Sequence, residues 1–190
     1  IKYNKEHRKN TLPNLSNHKK SKIHIGYFSS DFRNHPVTHF ITRILELHDR
    51  SKFQIYAYSL SDIKDNYTER IKEAVFCFRE IKEMNDIDIV NLARNDQLDI
   101  AIDLNGYTKY HKMSIFCYRV APIQINFLGY PGSLGSKSYD YIIADKVLIP
   151  EENKKYNTEK VLYFPNSSIH IDNTRVAETK ASKRYELGLP

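Results

Sequence analysis

The sequence is poor in residues and patterns that mark several classes of protein. It has 6 Gly, 7 Pro and 2 Cys among 190 residues, which argues against a fibrous or wholly disordered chain. No segment approaches the about 18 consecutive apolar residues that a membrane-spanning helix needs, and no secretory leader pattern opens the sequence. Cys77 and Cys117 lack a CxxC spacing, and each lies in an apolar run. We therefore expect a cytoplasmic protein with no membrane partner and two small, buried cysteines.

Charge is unevenly distributed. The chain carries 29 Lys and Arg against 23 Asp and Glu, a formal net charge of +6. Residues 1–22 hold the whole surplus, because their only acid is Glu6, and residues 23–190 balance to zero. A basic arm for nucleic acid and a solvated lead-in both fit residues 1–22, and the solvated lead-in is favoured. The first residue is Ile1 rather than Met, so we expect a longer natural chain.

From residue 23 onward, apolar strands alternate with amphipathic helical stretches. This order predicts βαβ units and hence a mostly parallel sheet with right-handed crossovers. The predicted strands are 23–29, 53–60, 76–81, 98–104, 123–128, 139–144 and 160–164. The predicted helices are 36–48, 66–75, 87–94 and 112–119. After residue 172 the composition turns polar and predicts a linker, and residues 185–190 look like the opening of another unit.

Three predicted strands end in polar or glycine-rich segments. Residues 29–36, 103–109 and 128–133 follow the first, fourth and fifth strands. Ligands of an open parallel sheet bind outside the carboxyl ends of its strands. Each segment alone fits an ordinary turn, but three of them on one edge predict a common cleft.

The first of these segments has the richest chemistry. His35 lies beside the predicted helix start, and Asp31 precedes it by four residues, so the carboxylate can orient the imidazole for proton transfer. Helix capping explains the same two residues equally well, and both alternatives stay open. Asp31, His35 and His39 also have a spacing that invites a metal site. Pro36 interrupts the two histidines and no third-ligand motif follows, so we expect no metal.

Signatures of several common enzymes are absent: the sequence has no GxGxxG, GxxxxGK[ST], GxSxG or HExxH. Other stretches, taken together and in order, are much more specific. These are residues 25–36 (IGYFSSDFRNHP), 103–108 (DLNGYT), 121–132 (APIQINFLGYPG), 140–145 (DYIIAD) and 159–161 (EKV). With this set the chain resembles the protein O-GlcNAc transferases, including the SPINDLY-like proteins, over residues 22–172.

The resemblance implies an α/β fold: a Rossmann-like, mostly parallel sheet with flanking helices, forming one lobe of a two-lobed GT-B glycosyltransferase. It implies inverting, metal-free transfer of N-acetylglucosamine from UDP-GlcNAc to Ser or Thr hydroxyls of proteins. His35 and Asp31 match catalytic positions. Positions near the donor sugar are matched by Pro36, Leu128 and Gly129, and the acceptor or sugar side by Tyr107 and Thr108. Val37 stands where animal members have threonine, which implies loss of a hydroxyl contact to the donor.

The same resemblance divides the chain and implies its partners. Residues 1–22 form a basic lead-in, 23–172 the amino-terminal catalytic lobe, and 173–190 a linker toward a second lobe. A protein or peptide acceptor, that second lobe and helical tetratricopeptide repeats are the implied partners, with nucleic acid disfavoured. The second lobe supplies most of the UDP pocket, so we expect little transfer by this lobe alone. The alternatives are a non-catalytic α/β binding module with a basic arm, and a related protein O-fucosyltransferase.

Overall fold

The fold is built on one parallel sheet. The computed structural model describes residues 20–174 and 183–188, in which seven strands follow the order β3-β2-β1-β4-β5-β6-β7 and every neighbouring pair is parallel. The strands are β1 (Ile23–Ser29), β2 (Phe53–Ser59), β3 (Cys77–Glu80), β4 (Ile100–Asp103), β5 (Ile123–Asn126), β6 (Tyr141–Ala144) and β7 (Lys160–Tyr163). The predicted α/β class with a parallel sheet is confirmed.

Helices cover both faces of the sheet. They are α1 (Pro36–Leu47), α2 (Asn66–Ala74), α3 (Asp86–Asn95) and the single turn α4 (Ser114–Cys117). Side chains of α1 and α2 pack with Ile25 and Tyr27 of β1 in one buried cluster. Side chains of α3 and α4 pack with Phe28 in another. Because alternate strand residues point to opposite faces, these two clusters are the two layers of core that enclose the sheet.

Several predicted elements are shorter in the structure. The fourth strand covers four residues instead of seven, and the predicted helix 112–119 contracts to Ser114–Cys117. Leu98 and Leu104 are still buried, and backbone bonds to β1 continue beyond both ends of β4: the Asp99 N–H donates to the His24 carbonyl and the Leu104 N–H to the Phe28 carbonyl, each at 2.9 Å. Two 3₁₀ helices, Glu151–Tyr156 and Arg184–Leu187, were not predicted, because neither segment carries apolar residues at helical spacing.

The expectation that both cysteines are buried is wrong. Cys77 and Cys117 are free thiols that are only half-buried. Cys77 opens the edge strand β3, where neighbours cover it from one side, and Cys117 ends the short helix α4. The burial of each cysteine was therefore overestimated from its apolar neighbours in the sequence, because both residues lie at the periphery of the fold.

Most of the basic lead-in lies outside the described residues. Of its cations, Lys20 pairs with Asp99, with 3.1 Å between Nζ and Oδ1. Among the described residues, no helix is both long enough and apolar enough to cross a membrane.

The segment after β7 is fastened to the α1–α2 layer by one guanidinium. Arg70 of α2 donates to Glu46 of α1 at 2.6 Å and to Asp172 at 2.5 Å. The Asp172 side chain is almost fully buried, at 1% exposure, and it also accepts from the Thr174 hydroxyl at 2.6 Å. These contacts hold the pKa of Asp172 well below its usual range. Arg70 therefore joins the last part of the lobe to its helical layer.

We expect Asp172→Asn to lower the free energy of unfolding at neutral pH by about 2 kcal/mol, the scale of hydrogen bonds to charged groups. The folded-state pKa of Asp172 is depressed, so its contribution is complete above about pH 4 and is lost as pH falls through the folded pKa. Urea unfolding from neutral to acid pH measures the difference between wild type and variant, which should shrink as pH falls. A constant difference would assign the effect to packing instead of charge.

Candidate active site

The three polar segments meet at the carboxyl edge of the sheet. The strand order changes direction between β1 and β4, since the chain builds outward to β3 on one side and to β7 on the other. Connections after β1 and β4 consequently leave in opposite directions and open a crevice between them. The site loops are named here loop 1 (residues 30–35), loop 2 (104–113) and loop 3 (127–135). Loops 1 and 2 flank that crevice, and loop 3 follows the neighbouring β5.

Asn105 joins loop 1 to loop 2. Its side-chain oxygen accepts from the Ser30 backbone N–H at 2.7 Å. Its amide nitrogen donates to the Ser30 hydroxyl at 2.7 Å, to Asp31 Oδ2 at 3.1 Å and to Thr108 Oγ1 at 3.0 Å. Asn105 is 1% exposed, so these bonds form away from water. One buried amide thus fixes the Asp31 carboxylate and the Thr108 hydroxyl relative to each other.

Loop 1 is also held from its other side by α2. Asp65 caps that helix, accepting from the backbone N–H groups of Tyr67 and Thr68, and it accepts from the Asn34 backbone N–H at 2.5 Å as well. The Thr68 hydroxyl donates to the Phe32 carbonyl at 2.8 Å. Both flanks of loop 1 are therefore pinned by groups outside the loop.

His35 lies at the start of α1 and close to Asp31, as the capping and the proton-transfer interpretations of the sequence both require. It is the N-cap of α1, and its Nδ1 accepts from the Val37 backbone N–H at 3.3 Å. The same Nδ1 lies 3.8 Å from Asp31 Oδ2. With Nδ1 acting as a cap acceptor, the proton of a neutral ring is on Nε2. Only the other neutral tautomer, with its proton on Nδ1, would leave Nε2 free to accept a proton, and that tautomer cannot accept the Val37 N–H at Nδ1. The geometry brings the two residues together and leaves their catalytic role a prediction.

The other residues of α1 nearest the site have structural contacts. Pro36 is the first residue of the helix, where its missing N–H costs nothing. Val37 is 8% exposed and packs in the core beneath α1, away from solvent. The Thr38 hydroxyl donates to the Asp31 carbonyl. Val37 therefore contributes to the core at this position, and the implied loss of a hydroxyl contact to the donor stays a prediction.

His39 has partners other than Asp31 and His35. Its Nε2 lies 2.9 Å from Asn34 Oδ1, and its ring lies 4.7 Å from that of Tyr67. No group of three or more His, Cys, Asp or Glu side chains among the described residues is arranged to hold a metal ion. Metal-free chemistry stays a prediction.

Loop 2 rests on a buried acid. Asp103 is 3% exposed, and its Oδ1 accepts from the backbone N–H groups of Asn105 and Gly106 at 2.9 and 3.2 Å. The Tyr139 hydroxyl donates to its Oδ2 at 2.6 Å. Burial raises the pKa of the Asp103 carboxyl. This acid shapes the turn that presents Asn105 to loop 1.

The predicted substrate-side residues of loop 2 lie at the mouth of the crevice. Tyr107 is 54% exposed, yet its hydroxyl donates to the Leu134 carbonyl at 2.7 Å. Its ring stands at 89° to that of Tyr130, with 5.3 Å between centroids. Thr108 is bound to Asn105, as described above. Loop 2 therefore presents a fixed aromatic ring and a hydroxyl beside loop 1.

Loop 3 touches loop 2 backbone to backbone. Leu128 has a φ of 68°, a left-handed conformation that is strained for a branched side chain. Gly129 follows, and a Cβ there would lie 2.0 Å from the Leu104 carbonyl oxygen. Farther along, Glu159 accepts from the Ser133 hydroxyl and the Leu134 backbone N–H, each at 2.7 Å. The loop is thus pressed against loop 2 at one end and held by a buried carboxylate at the other.

Sequence reasoning missed the residues that position the site. Asn105 and Asp103 appeared only as members of the polar segment 103–109 and of the matched stretch 103–108, with no role of their own. Glu159 appeared only within a matched motif, and Asp65 was not singled out. A detectable signal did exist for Asp103 and Asn105, since polar residues directly after a buried apolar strand must find partners in the fold.

We expect Asn105→Ala to lower the free energy of unfolding by about 2 kcal/mol, because the buried Ser30 N–H and Asp31 carboxylate lose a partner. Urea unfolding measures the loss. Asn85→Ala is the matched control: Asn85 caps α3 by accepting from the Asp88 backbone N–H, in an exposed setting, so its removal costs only about 1 kcal/mol. Equal losses in the two variants would contradict the role given to Asn105.

Comparison with known proteins identifies the family. The model of Glycosyl transferase family 41 matches residues 3–183. The chain is 32% identical over 176 residues to the probable UDP-N-acetylglucosamine–peptide N-acetylglucosaminyltransferase SEC of Arabidopsis thaliana, covering 89% of this chain and 18% of that protein. It is 37% identical over 150 residues to the UDP-N-acetylglucosamine–peptide N-acetylglucosaminyltransferase of Caenorhabditis elegans, covering 77% of this chain and 13% of that protein.

A solved structure agrees with the sequence relatives. A mutant of the Thermobaculum terrenum O-GlcNAc transferase matches with a TM-score of 0.76 and 29% identity, over 78% of this chain and 28% of that one. The chain therefore spans less than a third of that structure and 13–18% of the two curated relatives. Its parallel sheet, the three converging loops and the family match over residues 3–183 lead to one conclusion: the chain belongs to Glycosyl transferase family 41.

Proposed function

We propose that this chain is the amino-terminal catalytic lobe of a protein O-GlcNAc transferase. The enzyme would transfer N-acetylglucosamine from UDP-GlcNAc to Ser or Thr hydroxyls of proteins and invert the anomeric centre. The printed names of the relatives support this donor and a peptide acceptor. The observation that carries the proposal is the junction of loops 1 and 2 by Asn105, which holds Asp31, His35 and Thr108 at one crevice of a family 41 lobe.

In the proposed reaction, the acceptor oxygen bonds to the anomeric carbon while the bond from that carbon to the diphosphate oxygen breaks. The products are the O-linked sugar, UDP and the proton of the acceptor hydroxyl. His35 is the proposed group that contacts this hydroxyl and receives its proton at Nε2. In this step Nδ1 would carry the other ring proton, give up the Val37 N–H and face Asp31 Oδ2, which lies 3.8 Å away. The Leu128–Gly129 backbone would border the sugar, and Tyr107 and Thr108 the acceptor side.

The arginine of loop 1 already has a carboxylate partner. Arg33 of loop 1 is paired with Asp31, with 3.3 Å between Nη2 and Oδ1. A departing UDP needs electrostatic stabilisation, and we assign that task to the second lobe. The proposed enzyme uses no metal or organic cofactor, acts in the cytoplasm, and needs the second lobe and helical repeats as partners within the longer protein. Nucleic acid and membranes are not proposed partners.

The test compares the intact protein that contains this lobe with the 190-residue chain. Each is incubated with UDP-GlcNAc, or with GDP-fucose, and Ser- or Thr-containing peptides, and mass spectrometry identifies the attached sugar. We expect the intact protein to attach N-acetylglucosamine and the lobe alone to attach little or none. Fucose transfer would replace the proposed donor with that of an O-fucosyltransferase. Absence of any transfer by the intact protein would favour a binding module, and efficient turnover by the lobe alone would overturn the two-lobed account.

A further inference from the structure

An exposed tyrosine in loop 2 adopts a backbone conformation that its residue type disfavours. Tyr110 has a φ of 65°, in the left-handed region, and its side chain is 66% exposed. An L-residue pays about 1–2 kcal/mol for this conformation, and a bulky side chain rarely adopts it. Because most of the side chain is exposed, its burial contributes little stabilisation to offset this cost. Strain that side-chain burial does not offset, in a loop at a candidate site, points to a functional role for the side chain.

A cation accompanies this ring. The ammonium of Lys109 lies 4.7 Å from the centre of the Tyr110 ring, a favourable cation–π distance. Nearby Lys82 and Lys112 lie close to carboxylates, Asp62 at 2.5 Å and Asp86 at 4.0 Å. Within the described part of the chain, Lys109 forms no ion pair. It is therefore a cation with capacity for an added anionic group.

The pair is tied to the candidate site by its own backbone. The Ser30 hydroxyl of loop 1 donates to the Lys109 carbonyl at 3.3 Å. Thr108, the preceding residue, is bound to Asn105, which also holds Asp31. Lys109 and Tyr110 are consequently exposed residues at the rim of the crevice, on a backbone that is fixed relative to Asp31.

We propose that Lys109 and Tyr110 form a recognition site for a carboxylate-bearing side chain of the acceptor polypeptide, close to the hydroxyl that receives the sugar. The inference rests on the proposed function, because it needs the crevice to hold an acceptor. A flat ring offers contact area to an extended peptide, and the ammonium selects an acidic side chain by charge. The site would thus set which Ser or Thr hydroxyls are preferred.

The test uses the intact protein and two fluorescent acceptor peptides that differ only by Asp or Asn beside the acceptor serine. Fluorescence anisotropy measures the Kd of each peptide, and transfer assays measure KM. We expect the Asp peptide to bind about threefold more tightly, the scale of an exposed ion pair. In Lys109→Gln the two peptides should bind alike. In Tyr110→Gly both should bind about fivefold more weakly, while the melting temperature stays equal or rises as the strain is relieved.

Gln97→Gly is the matched control. Gln97 also has a positive φ, 54°, and is exposed, but it lies between α3 and β4 at the opposite edge of the sheet. Relief of strain there should leave both Kd values unchanged.

Equal binding of the Asp and Asn peptides to the wild type, or tight binding retained in Tyr110→Gly, would overturn the proposal. So would a Lys109→Gln variant that keeps its charge preference but binds UDP more weakly, since the ammonium would then serve the donor diphosphate. A peptide preference without any sugar transfer would instead contradict the proposed function.

Discussion

Replacement of His35 by asparagine should abolish most transfer by the intact protein and leave the fold in place. Asparagine is a good N-cap, so it keeps an acceptor for the Val37 N–H, and stability should change by less than about 1 kcal/mol. It cannot take the proton of an acceptor hydroxyl, and loss of a general base lowers the rate by about 10²- to 10⁴-fold. Steady-state transfer from UDP-GlcNAc and thermal unfolding measure the two effects.

His35→Ala separates the two roles of this residue. Alanine removes the cap as well as the base, so this variant should match His35→Asn in transfer but unfold with about 1 kcal/mol less free energy. An asparagine variant that retained near wild-type transfer would show that His35 is only a cap. The sequence left these two interpretations level, and the structure shows that both contacts exist around one ring nitrogen.

Gly129→Ala should give the largest loss of stability in the site. Its Cβ would lie 2.0 Å from the Leu104 carbonyl oxygen and 2.9 Å from the Leu104 carbonyl carbon, and neither atom can rotate away. Separation of loops 2 and 3 to relieve this overlap should cost about 3 kcal/mol, the upper range for overpacking. Urea unfolding of the 190-residue chain measures the effect, and transfer by the intact variant should fall with it.

Gly135→Ala is the control for Gly129→Ala. Gly135 lies in the same loop with a φ of 61°, and no atom lies within 4 Å of the position a Cβ would take. Only backbone strain opposes alanine there, a cost of about 1 kcal/mol. If the two alanine variants unfolded at the same urea concentration, the contact between loops 2 and 3 would not be the reason for glycine at position 129.

The sheet was predictable from local sequence, and the contacts between the loops were not. The apolar strands β1, β2, β4 and β5 lie where periodicity placed them, because both faces of a parallel strand are buried and the strands stand out as apolar runs. The loops 29–36, 103–109 and 128–133 followed from the ends of those strands. Family membership followed from the ordered motifs and is confirmed.

Asn105 shows why the contacts between the loops could not be predicted from the sequence. Its bonds to Ser30 and Asp31 connect residues about 75 positions apart, and they exist only because β4 lies beside β1. The sequence displays Asn-Gly, which any turn uses equally well. Leu128 and Tyr110 are similar cases, since neither residue type favours the left-handed backbone that it adopts in the structure. Half-buried Cys77 was misjudged because an edge strand and a central strand share the same composition.

The bracing of loop 1 from both sides has a consequence for the thermodynamics of substrate binding. Asp65 holds the Asn34 backbone, Asn105 holds Ser30 and Asp31, and all of these bonds join groups of the lobe itself. Ordering a loop on binding would cost conformational entropy, and here that entropy is already lost on folding. The entropic cost of assembling the reaction complex should therefore fall on the polypeptide acceptor and on closure of the two lobes, so that the flexibility of the acceptor segment governs its affinity.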